Sequence, residues 1–511
     1  MYKYVKKALK MKLFELESVI EIKNINASSL PDMDMICICH DSRKAIPGCI
    51  FVCKCGTFSD GHEFAENAYN AGARVFVAQR ELNLPPDALV LIVPDTGKAL
   101  SAMAQKFYSY PQKQLKVIGI TGTKGKTTLA LSVYEICKKY GLFMGYIGTN
   151  GAIYNGVTEQ TQNTTPDVLE LQRILRNMLD AGVEYVLIEV SSQALWQKRI
   201  DGIDFYATLF TNLYRDHIGG VEHPTFEHYL SCKKSLFSEY SSEKIIINYD
   251  TEYSFIMVSD ADEKKIFTTS ASGNENANLC AKNVEMSRKN NSLGVEFDCF
   301  GECFCGERIF LPFPGLYSVE NALQIIALCL YLGLEKEFII SSLGTLKVSG
   351  RFETVTLAHK PDTLFVIDYA HNGASLSSVL KALSNYNPGR IICLFGSVGG
   401  RTFGRRGDLA LSASEYSDII IVTSDNPNNE SPLNIINQIC SHLTNFDGKV
   451  YKIEDRAEAV RLAADISQPG DIVLLAGKGH EDYQLIQGRK IPFCEREILL
   501  STQNTSSLFK L

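Results

Sequence analysis

The residues with the clearest chemical potential form a glycine-rich turn between an apolar run and a plausible helix. The sequence there, V-I-G-I-T-G-T-K-G-K-T-T-L, spans residues 117–129. Glycines in such a turn let successive backbone N–H groups converge on phosphate oxygens, and the start of the following helix adds its positive end. Lys126 supplies a positive charge for the β- and γ-phosphates of a nucleotide, and the Thr127 hydroxyl is a suitable ligand for Mg²⁺. The pattern predicts a nucleotide site formed by Gly122, Thr123, Lys124, Gly125, Lys126, Thr127 and Thr128.

This loop is a compact form of the general phosphate-binding pattern. Ile120 stands where that pattern has a further glycine. A glycine-rich turn at a strand end would explain the two glycines without any ligand. It would not explain why Lys126 and two threonines open the helix, so nucleotide binding is the favoured interpretation.

Other polar residues with chemical potential follow apolar runs farther along the chain. Glu189 ends an apolar strand at the sheet edge where the glycine-rich loop should also lie. A carboxylate there can hold Mg²⁺, whereas an unpaired buried glutamate is costly. His217 follows the next strand and is either a turn residue or a usable ligand. Lys233 belongs to a helix starting near Thr225. It is either a site residue or a surface lysine that extends its charge to solvent.

Composition limits the class of protein. The 511 residues predict about three domains, and 45% hydrophobic with 21% charged residues is typical of a globular enzyme. A net charge of −7 argues against a general nucleic-acid binder. No apolar run approaches the ~20 residues of a membrane span, so no membrane insertion and a cytoplasmic location are expected.

The fifteen cysteines indicate a reduced protein rather than a disulfide framework. Two groups of cysteines, within residues 37–55 and 299–305, invite a zinc interpretation. Neither has paired C-x-x-C spacing, and several of these cysteines alternate with apolar residues as in strands. We therefore predict that they serve as small apolar residues.

The elements around these residues predict an α/β protein. The region before Pro111 alternates short strands and helices, and the region after residue 349 alternates regularly, as expected for a doubly wound parallel sheet. Polar groups follow the strands of this last region, and parallel strand ends are where α/β sheets bind ligands. These groups are G-R-F-E at 350–353, D-Y-A-H at 368–371, R-R at 405–406, D-N-P-N at 425–428 and G-K-G-H-E at 477–481.

Several of these motifs together resemble the Mur ligase family. The compact loop is accompanied by N-T-T-P at 163–166, E-V-S-S at 189–192, R-D-H at 215–217 and Y-L-S-C-K-K at 229–234. D-S-R at 41–43 and D-G-H-E-F at 60–64 are similar to the first domain of the member that adds the third amino acid. The resemblance covers nearly the whole chain. It implies a UDP-muramoyl-binding domain at 1–113, a central P-loop ATP-binding domain at 114–348 and a Rossmann-like amino-acid-binding domain at 349–511.

The resemblance also implies roles for individual residues. The family's carbamylated lysine aligns with Lys233, chosen over Lys234 by its spacing from Tyr229. The implied catalytic residues are Lys126, Glu189, His217, Lys233 and His371. Two Mg²⁺ ions would be held by Thr127, Glu189, His217 and carbamylated Lys233. The nucleotide would also meet Asn321, Arg351 and Asp368.

Two sets of residues are implied for the other substrates. The UDP-muramoyl dipeptide would contact Ser42, Asn163, Thr164, Thr165, Ser191, Gln197 and Arg199. The incoming amino acid would meet Arg406, Asp425, Asn426, Pro427, Asn428, Gly477 and Glu481.

The implied activity is ATP-dependent addition of the third amino acid to UDP-N-acetylmuramoyl-L-alanyl-D-glutamate, through an acyl phosphate, by a monomer engaged in peptidoglycan precursor synthesis. Enzymes of the family that add meso-diaminopimelate carry arginine where Asn428 stands. An amide cannot grip a second carboxylate as a guanidinium does. L-Lysine is therefore the predicted amino acid. The alternatives are meso-diaminopimelate, a folylpolyglutamate-type ligase, and a non-catalytic nucleotide-binding protein.

Overall fold

The protein is described from a computed structural model that covers residues 10–56, 59–215, 218–219, 222–289, 292–348, 350–400 and 404–505. The chain divides into two compact units. The first comprises Met1–Ala130 and Cys137–Thr268, and the second comprises Leu131–Ile136 and Thr269–Leu511. Each unit is an α/β structure.

The amino-terminal part of the first unit is built on a five-stranded sheet. Its strands lie in the order Asn24–Ile25, Leu89–Ile92, Val75–Ala78, Cys49–Val52 and Cys37–Cys39. The last four strands pair in parallel. Cys39, Cys49 and Cys53 are buried among the alanine and phenylalanine side chains that cover one face, as predicted for small apolar residues. The prediction is wrong for Cys55, Cys303 and Cys305, which are exposed.

The central part of the first unit contains the sheet that carries the glycine-rich loop. Its strands lie in the order Val157–Glu159, Gly151–Tyr154, Met144–Gly148, Tyr185–Glu189, Lys116–Thr121, Phe205–Phe210 and Ser242–Asn248. The last five pair in parallel, with Glu189 beside Ile120 in register. The three central strands, Tyr185–Glu189, Lys116–Thr121 and Phe205–Phe210, are largely apolar and buried, as expected where helices cover both faces of a parallel sheet. Their carboxyl ends therefore meet at one edge.

The second unit contains an antiparallel meander of three strands and a larger sheet of six strands. Strands Leu279–Lys289, Ser292–Gly301 and Phe304–Leu311 form an antiparallel meander. The larger sheet has the order Glu353–Leu357, Lys360–Asp368, Ile472–Ala476, Ile391–Phe395, Ile419–Thr423 and Lys449–Ile453. All its pairs are parallel except the first. A hairpin, Tyr483–Ile486 with Arg489–Pro492, follows the last parallel strand in sequence.

The α-helices connect these strands. In the first unit they are Ala65–Asn70, Thr96–Phe107, Val168–Asp180, Ser192–Trp196, Phe226–Ser238 and Ser254–Met257. The helix after the glycine-rich loop, Lys126–Tyr140, contributes residues to both units. In the second unit they are Leu316–Tyr331, Lys336–Leu343, Gly373–Ser384, Gly404–Tyr416, Pro432–Ser441, Arg456–Ile466 and Glu495–Thr505. Within the part of the chain that the structure describes, no helix is long and apolar enough to cross a membrane.

The predicted α/β class and the strand–helix alternation of the last region are confirmed. The strands Ile391–Phe395, Ile419–Thr423 and Ile472–Ala476 alternate with helices in this region. The outer strands of the same sheet were not predicted. None of the side chains of Lys449–Ile453 is buried, so this strand lacks the continuous apolar run that marks a central strand.

Candidate active site

The glycine-rich loop joins strand Lys116–Thr121 to helix Lys126–Tyr140. Gly125 has φ +86° at the position before the helix, a conformation that favours glycine. Gly122 has φ +149°, and a Cβ atom there would lie 1.9 Å from Thr211 Oγ1. Both glycines are thus required by backbone conformation or by space. The helix start is left with its N–H groups directed toward the loop, the arrangement that binds phosphate.

The end of the neighbouring strand, Phe205–Phe210, holds this loop in place. The Asn212 side-chain oxygen accepts the N–H of Lys124 at 2.9 Å, and the Asn212 carbonyl accepts the N–H of Thr123 at 2.9 Å. Thr211 Oγ1 donates to the Lys124 carbonyl at 2.7 Å. Thr211 and Asn212 were not predicted as site residues. The signal that could have found them is their place at the end of an apolar run.

Glu189 lies at the same sheet edge and is fully buried. One carboxylate oxygen accepts the Thr127 hydroxyl at 2.9 Å and the Thr149 hydroxyl at 3.2 Å. The other accepts the Tyr146 hydroxyl and the Thr149 N–H. Tyr146 and Thr149, which sequence reasoning missed, satisfy a buried carboxylate that would otherwise be costly.

Two lysines converge on one carbonyl of the loop. The Nζ atoms of Lys126 and Lys233 donate to the Gly122 oxygen at 2.7 Å and 2.9 Å. Lys233 is 2% exposed, and its Nζ lies 4.9 Å from the centre of the Tyr229 ring. Lys234, in contrast, points away and pairs with Asp260 at 2.8 Å. Of the two adjacent lysines, Lys233 is therefore the one directed at the glycine-rich loop.

These groups border a cavity of about 180 Å³. The cavity is lined by both lysines and by four of the seven residues that were predicted to contact the muramoyl dipeptide. The residues lining it are Lys126, Asn163, Thr164, Ser191, Ser192, Gln193, Arg199, Glu222, Tyr229 and Lys233.

Other predicted dipeptide residues lie behind the cavity wall. Thr165 is buried and donates to the Glu189 carbonyl at 2.7 Å. Gln197 accepts two hydrogen bonds from the Arg199 guanidinium, which also donates to the Thr165 carbonyl at 2.8 Å. Thr165 and Gln197 thus orient the site rather than line it. Ser42 begins a short 3₁₀ turn, Ser42–Lys44, in the amino-terminal part.

Asp167 connects the amino-terminal and central parts of the first unit. Its carboxylate caps helix Val168–Asp180 and lies 3.7 Å from His40 Nε2. Burial alone would raise the pKa of this carboxyl, but the nearby His40 imidazole, with the helix N–H groups, lowers it to about 2. The cap therefore stays ionised near neutral pH.

The predicted metal ligands have the chemistry that Mg²⁺ requires. Thr127 and Glu189 present a hydroxyl and a carboxylate oxygen 2.9 Å apart at the start of the helix. Mg²⁺ prefers such oxygen donors together with water and substrate phosphates. His217, the third predicted ligand, lies outside the described residues. Lys233 would qualify only as a carbamate, since an ammonium cannot ligate a cation.

In the second unit, Asp368 is the last residue of strand Lys360–Asp368. It holds the backbone next to Arg351, another residue predicted to contact the nucleotide. Its two oxygens accept the N–H groups of Phe352 and Ala370, each at 2.8 Å. Burial raises the pKa of the Asp368 carboxyl, and the charge of Arg351 opposes this rise. The Arg351 guanidinium lies 4.8 Å from the centre of the Tyr369 ring. Asn321, the other predicted contact, is buried on helix Leu316–Tyr331.

His371 follows Asp368 in the D-Y-A-H turn. Its Nδ1 lies 2.8 Å from the Tyr369 carbonyl, and its own carbonyl accepts Arg405 Nε at 3.1 Å. The His371 and His480 rings lie 4.7 Å and 4.9 Å from the Tyr369 ring. Burial and then Arg351 lower the pKa of His480 to about 4, so its ring is neutral near pH 7.

The predicted amino-acid pocket is arranged around a lysine that was not predicted. Lys478 is fully buried, and its Nζ donates to Asn426 Oδ1 at 2.8 Å and to Glu481 at 2.7 Å. Asp425 Oδ1 lies 3.7 Å away. Burial raises the pKa of Asp425, while the charges of Arg456 and Lys478 act in the opposite direction. This strand-end cluster places one buried cation among polar groups able to hold an amino acid.

The remaining predicted residues of that pocket shape its backbone. Gly477 has φ +111°, and a Cβ atom there would lie 3.1 Å from an Asp425 carboxylate oxygen. The Pro427 carbonyl accepts the Glu430 N–H at 3.0 Å. Asn428 has φ +53°, and its side-chain oxygen accepts the Gly488 N–H at 3.2 Å. Asn428 thus fastens the D-N-P-N loop to the turn of the 483–492 hairpin.

Arg406 is engaged by a protein carboxylate. Its guanidinium is 1% exposed, donates to Glu430 through two nitrogens at 2.9 Å and 2.7 Å, and also contacts Gln438. The hydrogen bond from Arg406 is the main cause that lowers the pKa of Glu430. In this structure, any effect of Arg406 on the amino acid would therefore pass through Glu430 and its loop.

We expect Glu430→Ala to destabilise the second unit by about 3 kcal/mol, because it leaves a buried guanidinium without its carboxylate. Glu454→Ala, at an exposed loop position, is the matched control. Hydrogen exchange of the amides in Pro432–Ser441 measures the effect, since the single tryptophan, Trp196, lies in the other unit. Equal exchange rates in the two variants would contradict the importance of this pair.

Comparison with known proteins shows that most of the chain is similar to one protein family. Profiles described as "Mur ligase family, catalytic domain", "Mur ligase middle domain" and "Mur ligase, glutamate ligase domain" match residues 36–108, 120–329 and 350–479. A UDP-N-acetylmuramoyl-L-alanyl-D-glutamate–2,6-diaminopimelate ligase of Clostridium botulinum is 36% identical over 466 residues, covering 90% of this chain and 93% of that protein. The similarly named ligase of Clostridium perfringens is 37% identical over 460 residues, with coverage of 90% and 93%.

Solved structures extend the comparison. A UDP-N-acetylmuramoyl-L-alanyl-D-glutamate–2,6-diaminopimelate ligase has a TM-score of 0.69 at 27% identity, covering 98% of this chain and 99% of that one. A folylpolyglutamate synthase of Thermotoga maritima has a TM-score of 0.55 at 18% identity, covering 74% of this chain and 89% of that one. The second likeness shows a shared fold and no more.

Proposed function

The chain belongs to the Mur ligase family, and from this premise we propose that it joins 2,6-diaminopimelate to UDP-N-acetylmuramoyl-L-alanyl-D-glutamate. It is an ATP-dependent ligase of the kind that adds the third residue. A non-catalytic nucleotide-binding protein is therefore set aside. The choice of diaminopimelate follows the names of the relatives and departs from the lysine predicted from Asn428.

The observation that carries the proposal is the cavity of the first unit, where residues suited to phosphate and to the muramoyl dipeptide share one wall. Lys126 lies at the phosphate loop, and Asn163, Thr164, Ser191 and Arg199 line the same space. A phosphate donor and a carboxylate acceptor can therefore be held side by side. Positioning of this kind supplies much of the rate enhancement in phosphoryl transfer.

We infer the following sequence of bond changes. The side-chain carboxylate of D-glutamate attacks the γ-phosphorus of ATP, the bond to the β-phosphate oxygen breaks, and an acyl phosphate and ADP result. The amine of the third amino acid then attacks the acyl carbon, loses a proton, and expels phosphate to leave an amide. The acyl phosphate is a mixed anhydride, so the carboxylate oxygen, a poor leaving group, departs as part of phosphate, a good one.

The chain's residues act on charge and orientation in these steps. Lys126 is placed to meet charge on the transferring phosphoryl group, and the N–H groups of the glycine-rich loop hold the phosphates. Thr127 and Glu189 would hold Mg²⁺, which when bound offsets charge on phosphate oxygens. Carbamylation of Lys233 would add a further oxygen donor and belongs to this proposal.

A second candidate amino acid is favoured by one specific observation. Position 428 carries an amide whose oxygen already accepts a hydrogen bond from Gly488. L-Lysine has no second carboxylate and needs no guanidinium there. If diaminopimelate is the substrate, its second carboxylate requires another cation, and Lys478 is a buried cation in the same strand-end cluster.

Phosphate release tests the proposal directly. The purified protein is given ATP, Mg²⁺ and UDP-N-acetylmuramoyl-L-alanyl-D-glutamate, with meso-diaminopimelate, L-lysine and L-ornithine in parallel. We expect the highest kcat/KM with diaminopimelate. A preference for lysine would overturn the choice of amino acid and leave the ligase class intact. No release with any of the three would overturn the proposed acceptor.

Asn428→Arg should raise the ratio of kcat/KM for diaminopimelate over that for lysine by about 10- to 100-fold. A charge-assisted hydrogen bond to a carboxylate is worth about 1.5–3 kcal/mol, reduced here by the cost of a positive φ at this position. Asn428→Ala is the matched control, because it also loses the hydrogen bond to Gly488 but adds no cation. An unchanged ratio would show that position 428 does not face the second carboxylate.

A further inference from the structure

Two imidazoles and a thiol form a cluster beside the substrate cavity. His228 and Cys232 are four residues apart on helix Phe226–Ser238 and share one of its faces. His223 approaches them from the segment before the helix. The Nδ1 atoms of the two histidines are 2.9 Å apart, and Cys232 Sγ lies 3.8 Å from His228 Nδ1. One ligand atom from each residue lies within 4.8 Å of the other two.

These separations are close to those that a tetrahedral metal centre requires. Zn²⁺ binds imidazole nitrogen at about 2.0–2.1 Å and thiolate sulfur at about 2.3 Å, so its ligand atoms lie about 3.3–3.6 Å from one another. The distances of 2.9 Å and 3.8 Å differ from these by less than the movement of a side chain within its rotamer. We propose that His223, His228 and Cys232 form a binding site for a thiophilic divalent cation of the Zn²⁺ class.

The surroundings of His223 prepare its Nδ1 atom for a ligand. Its Nε2 lies 2.8 Å from the Ser192 hydroxyl, a contact that can keep the proton on Nε2 and leave the Nδ1 lone pair facing His228. Metal-bound histidines generally donate their other ring N–H in this way. The Trp196 ring lies 5.7 Å from His223 and 4.9 Å from His228, so an apolar wall limits water on one side.

Access and charge are also consistent with a metal site. His223 and Cys232 are buried, whereas His228 is half-buried and gives the cluster a route to solvent. On binding, Cys232 loses its thiol proton to solvent, and the proton of His228 moves from Nδ1 to Nε2 by exchange with solvent, so both imidazoles bind as neutral ligands. The nitrogen and sulfur donors distinguish this site from the oxygen donors Thr127 and Glu189, which suit Mg²⁺.

A second cluster in the described chain, Cys55, Asp60 and His62, is less suited to a metal. Both ring nitrogens of His62 are engaged: Nδ1 with Asp60 at 2.5 Å, and Nε2 with the Gln79 N–H at 3.0 Å. Asp60 also pairs with Arg80 at 2.7 Å. A cation would have to break these contacts, so Cys55 provides a matched control thiol.

The test uses the full chain, freed of metals with a chelator and kept in excess Mg²⁺. Zn²⁺ binding is measured by competition with a chromophoric indicator, and Co²⁺ is added separately to record its absorption spectrum. We expect one tight equivalent of Zn²⁺ and a thiolate-to-cobalt charge-transfer band. Cys232→Ser and His228→Gln should each weaken Zn²⁺ binding at least about tenfold, and Cys232→Ser should remove the band. Cys55→Ser should change neither.

Three results would overturn the proposal: a parent protein without the charge-transfer band, unchanged Zn²⁺ affinity in both Cys232→Ser and His228→Gln, or loss of binding only in Cys55→Ser. The spectrum of the parent protein tests thiolate ligation even if a variant fails to fold. Circular dichroism of each variant separates lost ligation from lost structure. None of these readouts requires ligase activity, so the result is independent of which amino acid the enzyme adds.

Discussion

Lys126→Ala should lower kcat for ATP-dependent ligation by about 10³-fold. Lys126 is the first residue of the helix after the glycine-rich loop, and its ammonium lies 2.7 Å from the Gly122 carbonyl. From this position it can stabilise the negative charge that develops on the transferring phosphoryl group. Removing one preorganised donor to a developing charge costs about 10²–10³ in kcat, and a full positive charge in a partly buried site belongs at the upper end. Phosphate release with saturating substrates measures the loss.

The control for Lys126→Ala is Lys139→Ala, which removes an exposed lysine from the last turn of the same helix. Both variants remove one positive charge from the helix, but only Lys126→Ala removes an ammonium that contacts the glycine-rich loop. The thermal midpoint of Lys126→Ala should stay close to that of the parent, because Lys126 meets carbonyls that water can also satisfy. Retention of more than a tenth of the parent kcat would show that Lys126 does not act on the phosphoryl group.

Lys233→Arg should also lower kcat by at least about 10²-fold, although it keeps a positive charge. A carbamate forms when the lysine amine attacks CO₂ and loses a proton, and arginine cannot make this oxygen ligand. The geometry favours Lys233, which is buried and reaches the Gly122 carbonyl at 2.9 Å. Lys234→Arg is the control, because Lys234 pairs with Asp260 instead.

The carbamate has a readout of its own. Protein equilibrated with ¹³C-bicarbonate should show one carbamate carbon by NMR, present in Lys234→Arg and absent in Lys233→Arg. The ligase rate should fall when dissolved CO₂ is removed and return when bicarbonate is restored. A carbamate signal that survives Lys233→Arg, or full activity of that variant, would contradict the assignment.

Much of the first unit's chemistry was predictable because it depends on local backbone requirements. The two glycines of the loop, the lysine that opens the helix and the following threonine act within a few residues of one another. Helix Val168–Asp180 likewise follows from Asp167, whose carboxylate caps it. Residue types at short fixed spacing leave a readable pattern.

The partners of these residues were not predictable, since they come from distant parts of the chain. Lys124 and Asn212 are 88 residues apart, and Tyr146 and Thr149 reach Glu189 across 43 and 40 residues of sequence. Their contacts depend on which strands become neighbours and in which register, as in the pairing of Glu189 with Ile120. The same holds for Lys478, which meets Asn426 across 52 residues of sequence.

The sequence by itself determined the α/β class, the phosphate loop, and the family resemblance that the comparisons confirm. Tertiary structure alone decided that Arg406 is occupied by Glu430 and that His223, His228 and Cys232 converge. The physical reason is that local patterns fix backbone conformation and helix faces. The direction in which a buried side chain finds its partner is fixed by packing between elements that are remote in sequence.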